Sequence, residues 1–305
     1  LCQNLTEANM TATLVLTNGH ITTMEPARPR ATAIALRGDR ILALGGDDEM
    51  RALLGPGGEW IDLKGRGVTP GLVDAHVHFQ HYALSLQRVD LDNASSKAEV
   101  LARVAGFLNR PGGSPGGWLQ GRGWQQDAWA DRAFPGAADL DALSSNRPIF
   151  LTHKSGHAAW VNSVALRLAD VGPATPDPAG GKIERDEEGQ PTGILFEDAI
   201  DLVAGRIPRP TVTEIAAAMR AAQERCWRAG LTGLHDFDGR DCFQALQLLR
   251  EDGELGLRVV KNVPVYRLDH ALGLGIRSGF GDAWLRIGGV KIFADGALGS
   301  KTAAM

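Results

Sequence analysis

Thr69-Pro70-Gly71-Leu72-Val73-Asp74-Ala75-His76-Val77-His78 is the stretch on which the fold turns. Pro70-Gly71 is a turn signal, and the apolar run after it is broken only by Asp74, His76 and His78. On a strand, alternate side chains share a face, so those three polar groups point one way, together with Leu72. Val73, Ala75 and Val77 then point the other way, into an apolar layer. Two imidazoles two residues apart on one strand can converge on a single metal ion, and burying both rings with nothing to bind costs free energy. The competing reading is a pair of ordinary histidines near a strand end, partnered by backbone or water. The turn before them, the aspartate in phase and the apolar alternate face favour the metal.

Upstream, residues 13–63 read as short strands and turns with no catalytic residue. Leu14-Val15-Leu16-Thr17 runs into Asn18-Gly19, a two-residue hairpin signal, and Ile21-Thr22-Thr23-Met24 is expected to return beside it. Ala33-Ile34-Ala35-Leu36 and Ile41-Leu42-Ala43-Leu44 form a second such pair about Gly38-Asp39. A short helix is expected over 47–54 and a strand at Trp60-Ile61-Asp62-Leu63.

Downstream, residues 86–210 do not read as one strand–helix repeat and are taken as an insertion. It holds a helix over 96–109, the loop Pro111-Gly112-Gly113-Ser114-Pro115-Gly116-Gly117, strands at 118–120 and 148–152, a helix over 161–169 and a hairpin within 183–195. A helix over 211–229 follows, capped by Thr211 or Thr213 and stopped by Gly230. Strands at 231–237, 257–260 and 284–293 alternate with helical segments, which implies a parallel sheet with right-handed crossovers.

The 305 residues, 44% hydrophobic and 22% charged, suit a soluble globular chain of two structural units. A net charge of −4 with no Lys/Arg cluster argues against nucleic-acid and membrane partners, and the expected partner is a small-molecule substrate. Cys2, Cys226 and Cys242 are too few and scattered for a disulfide framework or thiolate metal site. With no membrane-length apolar run and no signal-peptide layout, the expectation is a cytoplasmic protein, and a homo-oligomer is left open.

Thr-Pro-Gly-Leu-Val-Asp-Ala-His-Val-His resembles the first barrel strand of the metal-dependent amidohydrolase superfamily. Gly121-Arg122-Gly123-Trp124, His157-Ala158-Ala159-Trp160-Val161-Asn162-Ser163, Thr175-Pro176-Asp177-Pro178 with Gly180-Gly181, and Lys291-Ile292-Phe293-Ala294-Asp295-Gly296 narrow the resemblance to amidohydrolase family 3, similar to N-substituted formamide deformylases. The resemblance covers nearly everything from Met10 to Met305. It implies a (β/α)8 TIM-type barrel, here stopping after about four strands, with a small N-terminal β-sandwich-like domain. The expected division is 10–67 for that domain and 68–305 for the first half of the barrel.

Lys291 lies in the apolar strand Gly288-Gly289-Val290-Lys291-Ile292-Phe293, where a bare ammonium is costly unless its head reaches water. Four strands in, it matches the family's metal-site lysine. That lysine is typically carbamylated into an anion bridging two divalent ions. The resemblance thus implies His76, His78 and Lys291 as ligands of one or two ions, zinc first among them. It makes His157 a substrate-pocket residue. Trp124, with Trp160, walls that pocket or simply fills core. Asp295, at the end of the lysine's strand, orients substrate or is a plain turn aspartate. His235 and Asp236 end the next barrel strand and, with Asp74, stand behind the ligands or serve structure alone. Two further histidines and a catalytic aspartate are expected beyond Met305, so no catalytic residue is assigned.

The implied reaction is metal-assisted hydrolysis of a non-peptide C–N bond in an amide, formamide or cyclic amide. An esterase or deaminase on the same scaffold, or a non-catalytic barrel used for binding, are the alternatives. No Gly-x-Gly-x-x-Gly follows a strand, which disfavours a nicotinamide enzyme. Residues 1–9 read as upstream read-through before a natural start at Met10. The ending Ala303-Ala304-Met305, close behind a motif, reads as an inactive fragment.

Overall fold

The Asn18-Gly19 corner does not make the hairpin its sequence suggests. In the computed structural model, which describes residues 11–109 and 117–295, the strands on either side of it join different sheets. β1 (Ala12–Thr17) lies in a four-stranded sheet, while β2 (His20–Thr22) pairs with β3 (Arg30–Ala31) and β7 (Gly67–Val68). Asn18 has φ 53°, its N–H donates to Asp47 at 3.0 Å and its side chain donates to Asp62 at 2.8 Å. Those two anchors turn the chain away from β1. The second expected pair does form: β4 (Ala33–Arg37) and β5 (Arg40–Gly45) run antiparallel about Gly38.

The sheet order is β5-β4-β1-β6, where β6 (Leu54–Asp62) is longer than the expected strand. α1 (Asp47–Arg51) lays Met50 against Val15, Ala33 and Ala35. The chain divides into two units between Leu72 and Val73.

In the second unit, β8 (Leu72–Val77) neighbours β15 (Leu231–Asp236), then β16 (Arg258–Pro264) and β17 (Leu285–Lys291). The pairs β15–β16 and β16–β17 are parallel. The four strands thus stand in chain order, and among the described residues this sheet is open, not closed into a barrel. α2 (Phe79–Ser85), α7 (Val212–Arg228) and α8 (Arg240–Glu251) supply its apolar cover, with Phe79, Met219, Leu246 and Leu249 fully buried beside Leu234 and Val259. α7 begins at Thr211, whose hydroxyl accepts the Glu214 N–H while Glu214 reaches back to the Thr211 N–H: a capping box.

Between β8 and β15 the chain builds a separate six-stranded sheet, β13-β14-β12-β11-β10-β9. Its members are β9 (Val89–Asp90), β10 (Leu119–Trp124), β11 (Ile149–His153), β12 (Ala158–Val161), β13 (Gly181–Arg185) and β14 (Pro191–Glu197). β13 and β14 are the hairpin expected near Glu188-Gly189. The helix expected over 161–169 starts later. Val161 ends β12, and Asn162 is a buried cap whose Oδ1 accepts the N–H groups of Ile149 and Ala165. α3 (Lys97–Leu108) is capped by Ser96.

The loop 110–116, the ends 1–10 and 296–305, and the readings made on them lie outside the described residues. No described helix is long and apolar enough to cross a membrane.

Candidate metal centre

Three of the groups singled out from the sequence, His76, His78 and Lys291, lie at the end of the four-stranded sheet near Phe237. The ring of His76 stacks on Phe237, with centroids 4.1 Å apart and planes 25° from parallel. Lys291 Nζ sits 5.3 Å from the centre of the same ring and 4.9 Å from that of Phe293. His78 lies beside His76 at 5.8 Å between ring centres. β8 and β17 thus bring His76 and Lys291 to the Phe237 ring, with His78, the residue just past β8, beside His76. Lys291 is half-buried, and aromatic faces stabilise its cation, not a carboxylate. Asp74 accepts the backbone N–H of His76 at 2.9 Å.

Behind His78 lies a buried polar network. Asp238 meets Nδ1 of His78 at 3.0 Å and also Nδ1 of His81. Its other oxygen accepts the N–H of Gln80 at 2.7 Å. Asp236 accepts the N–H of Phe79 at 2.9 Å and pairs with Lys261 Nζ at 2.8 Å. Lys261 is 3% exposed and also donates to the Asp238 carbonyl. Next to Asp236, burial pushes the Cys242 thiol far up, and the neighbouring carboxylate adds to that. Two buried carboxylates and one buried ammonium survive here because nearly every polar atom has a partner.

His81, Phe237, Asp238 and Lys261 join the site although their sequence positions alone do not single them out. Weaker signals for three of them were present: His78 and His81 are three apart at a helix start, Asp236 and Asp238 alternate, and Lys261 interrupts Val259-Val260-Lys261-Asn262-Val263 as Lys291 interrupts its own strand. Of the two lysines, Lys261 is the more deeply buried.

His235 is half-buried on β15. His157 lies in the inserted region, exposed, with Nδ1 2.9 Å from Glu197. Trp124 and Trp160 are fully buried there, ring centres 6.0 Å apart, with indole N–H groups donating to the carbonyls of Leu151 and Gly136. Asp295 is exposed at the end of the described residues. The contacts of His157, Trp124 and Trp160 are therefore with the inserted sheet, while the His76, His78 and Lys291 patch forms apart from them.

The donors on that patch fit a divalent ion. Imidazole nitrogens suit zinc and its neighbours, and with the carboxylate on Nδ1 the Nε2 of His78 is the atom that would ligate one.

A sequence profile described as the amidohydrolase family matches residues 59–305. The chain belongs to the amidohydrolase family. It is 33% identical to the Protein LONG AFTER FAR-RED 3 of Arabidopsis thaliana, over 97% of this chain and 52% of that one. It is 35% identical to the N-substituted formamide deformylase of Arthrobacter pascens, over 62% of this chain and 35% of that protein. A structure titled as an uncharacterized metal-dependent hydrolase from Pyrococcus furiosus superposes with TM-score 0.70 at 30% identity, covering 94% of this chain and 57% of the other. The chain spans about half the length of the curated relatives it matches.

Proposed function

We propose that this amidohydrolase-family chain belongs to a metal-dependent hydrolase of non-peptide C–N bonds, with an amide, formamide or cyclic amide as substrate. The observation that carries the reading is the placement of His76 and Lys291 at the Phe237 ring with His78 beside His76. The family profile and the deformylase relative support the bond class. The four parallel strands in chain order support a reading in which they begin a (β/α)8 barrel, whose chemistry sits at the C-terminal strand ends.

His76 and His78 would hold a divalent ion, zinc by preference, with Lys291. When bound, such an ion lowers the pKa of water towards ~7 and polarises a carbonyl oxygen. Lys291 would join as a carbamate: its neutral amine attacks carbon dioxide, loses a proton and becomes an anion suited to metal. His76 is held by stacking and His78 by Asp238, so both rings are set before substrate arrives. A small-molecule substrate and a cytoplasmic setting belong to the same proposal, with His157 and Asp295 as its exposed substrate-side residues; Trp124, wholly buried, fills the core of the inserted sheet.

The test is hydrolysis of an N-substituted formamide and a cyclic amide series by the metal-loaded protein, before and after chelation. Turnover that chelation abolishes and divalent ion restores is the expected result. Turnover that is indifferent to chelation, or absent across the series, overturns the reading.

A further inference from the structure

Asp238 lies two residues past β15, its side chain wholly buried, and its carboxylate is divided between two tasks. One oxygen accepts the N–H of Gln80 at 2.7 Å and of His81 at 3.4 Å. The other meets Nδ1 of His78 at 3.0 Å and Nδ1 of His81. The residue is held at both ends of its own backbone. Its N–H donates to Asp236 at 3.1 Å, and its carbonyl accepts from Lys261, which is paired with Asp236 at 2.8 Å. The carboxylate therefore has little freedom to turn away.

A carboxylate only accepts, so its contact with His78 calls for hydrogen on Nδ1. In the neutral ring the lone pair is then on Nε2. We propose that Asp238 is a positioning residue that fixes His78 in the Nδ1–H tautomer and aims its Nε2 at a divalent ion, with Lys261 and Asp236 as the clamp behind it. The proposal rests on the metal reading above and adds a residue to it. His76, whose ring is set by stacking on Phe237, depends on Asp238 far less.

Two rival accounts make different predictions. In one, Asp238 only caps the start of α2 through Gln80 and His81. In the other, His78, His81 and Asp238, whose ligand atoms lie within 4.8 Å of one another, themselves hold the ion. The experiment compares wild type, Asp238→Asn, Asp238→Ala and His81→Gln. It reads the histidine tautomers from long-range 1H–15N correlations of the metal-free protein. Zinc affinity is read by competition with a chromogenic chelator.

Wild type should show His78 as the Nδ1–H tautomer. Asp238→Asn keeps an oxygen for the helix N–H groups, so its thermal midpoint should stay near wild type. Its His78 tautomer should nonetheless become mixed and its zinc affinity fall about 10-fold, with Asp238→Ala nearer 100-fold. His81→Gln should leave the His78 tautomer and the affinity unchanged. Unchanged tautomer and affinity in Asp238→Asn would reduce Asp238 to a cap and overturn the proposal. A loss in His81→Gln equal to that in Asp238→Ala would also overturn it, by making the cluster the metal site. If wild type binds no zinc, the hydrolase reading fails, and the tautomer measurement still decides the role of Asp238. Should Asp238→Ala not fold, Asp238→Asn alone carries the test.

Discussion

Lys291 and Lys261 show how much a residue's surroundings decide its role. Both interrupt apolar strands, yet Lys261 is sealed against Asp236 and the Asp238 carbonyl, while Lys291 lies over two aromatic rings at a strand end. Under the proposed hydrolase reading, Lys291 is the lysine that would be carbamylated, because Lys261 is already paired. Lys291→Ala should therefore lose most activity and recover part of it with added short carboxylic acids, read as initial rate against acid concentration. Full activity without rescue would make Lys291 an ordinary residue. His153 carries a prediction about pH. Burial holds its imidazole below the usual value; Asp127 opposes this and His157 adds to it. The unfolded chain takes up a proton near pH 6.5 and the folded chain does so only at lower pH, so this contribution to stability is present above about 6.5 and is lost as pH falls below it. Replacing the residue, as His153→Gln, should flatten the fall in urea midpoint between pH 7.5 and 5. An equally steep fall in the variant would show that other groups govern it.

At the scale of elements, caps and periodicity were the legible part. α7 was readable from Thr211, its apolar stripe and Gly230, and the capping box makes a direct prediction: Thr211→Ala should cost about 1 kcal/mol in urea denaturation. No change would mean that packing through Met219 and Ala222 alone sets the helix end. The β4–β5 and β13–β14 hairpins were legible for the same reason, since turn and strands are local. The Asn18-Gly19 corner was not, because its partners Asp47 and Asp62 are 29 and 44 residues away. β12 was hidden as well: Ala158-Ala159-Trp160-Val161 has no alternation, being buried on both faces, and so ran on into the following helix. Strand phase places His76 beside His78, but the apolar layer expected from Val73, Ala75 and Val77 does not form fully, since Val73 is 57% exposed and Ala75 is exposed too. Asp238 was not legible, since its role rests on contacts 157 to 160 residues away.

For the molecule as a whole, the arrangement is a division of labour. The second unit's four-stranded sheet carries His76 and Lys291, with His78 just past β8; helices α2, α7 and α8 cover Leu234 and Val259, and the buried Asp236, Lys261 and Asp238 lock the strand ends to the start of α2. The inserted six-stranded sheet packs around its own tryptophans, with His157 beside Glu197 apart from that patch. Membership of the amidohydrolase family and likeness to a metal-dependent hydrolase accord with this layout. The central claim is that the convergence about Phe237 is a metal site, and metal content tests it most directly. After dialysis against metal-free buffer, elemental analysis of the protein should find one or two divalent ions per chain. The paired substitution His76→Ala with His78→Ala should lose most of that metal while keeping the wild-type circular dichroism spectrum. Wild-type metal content in the folded double variant would contradict the account.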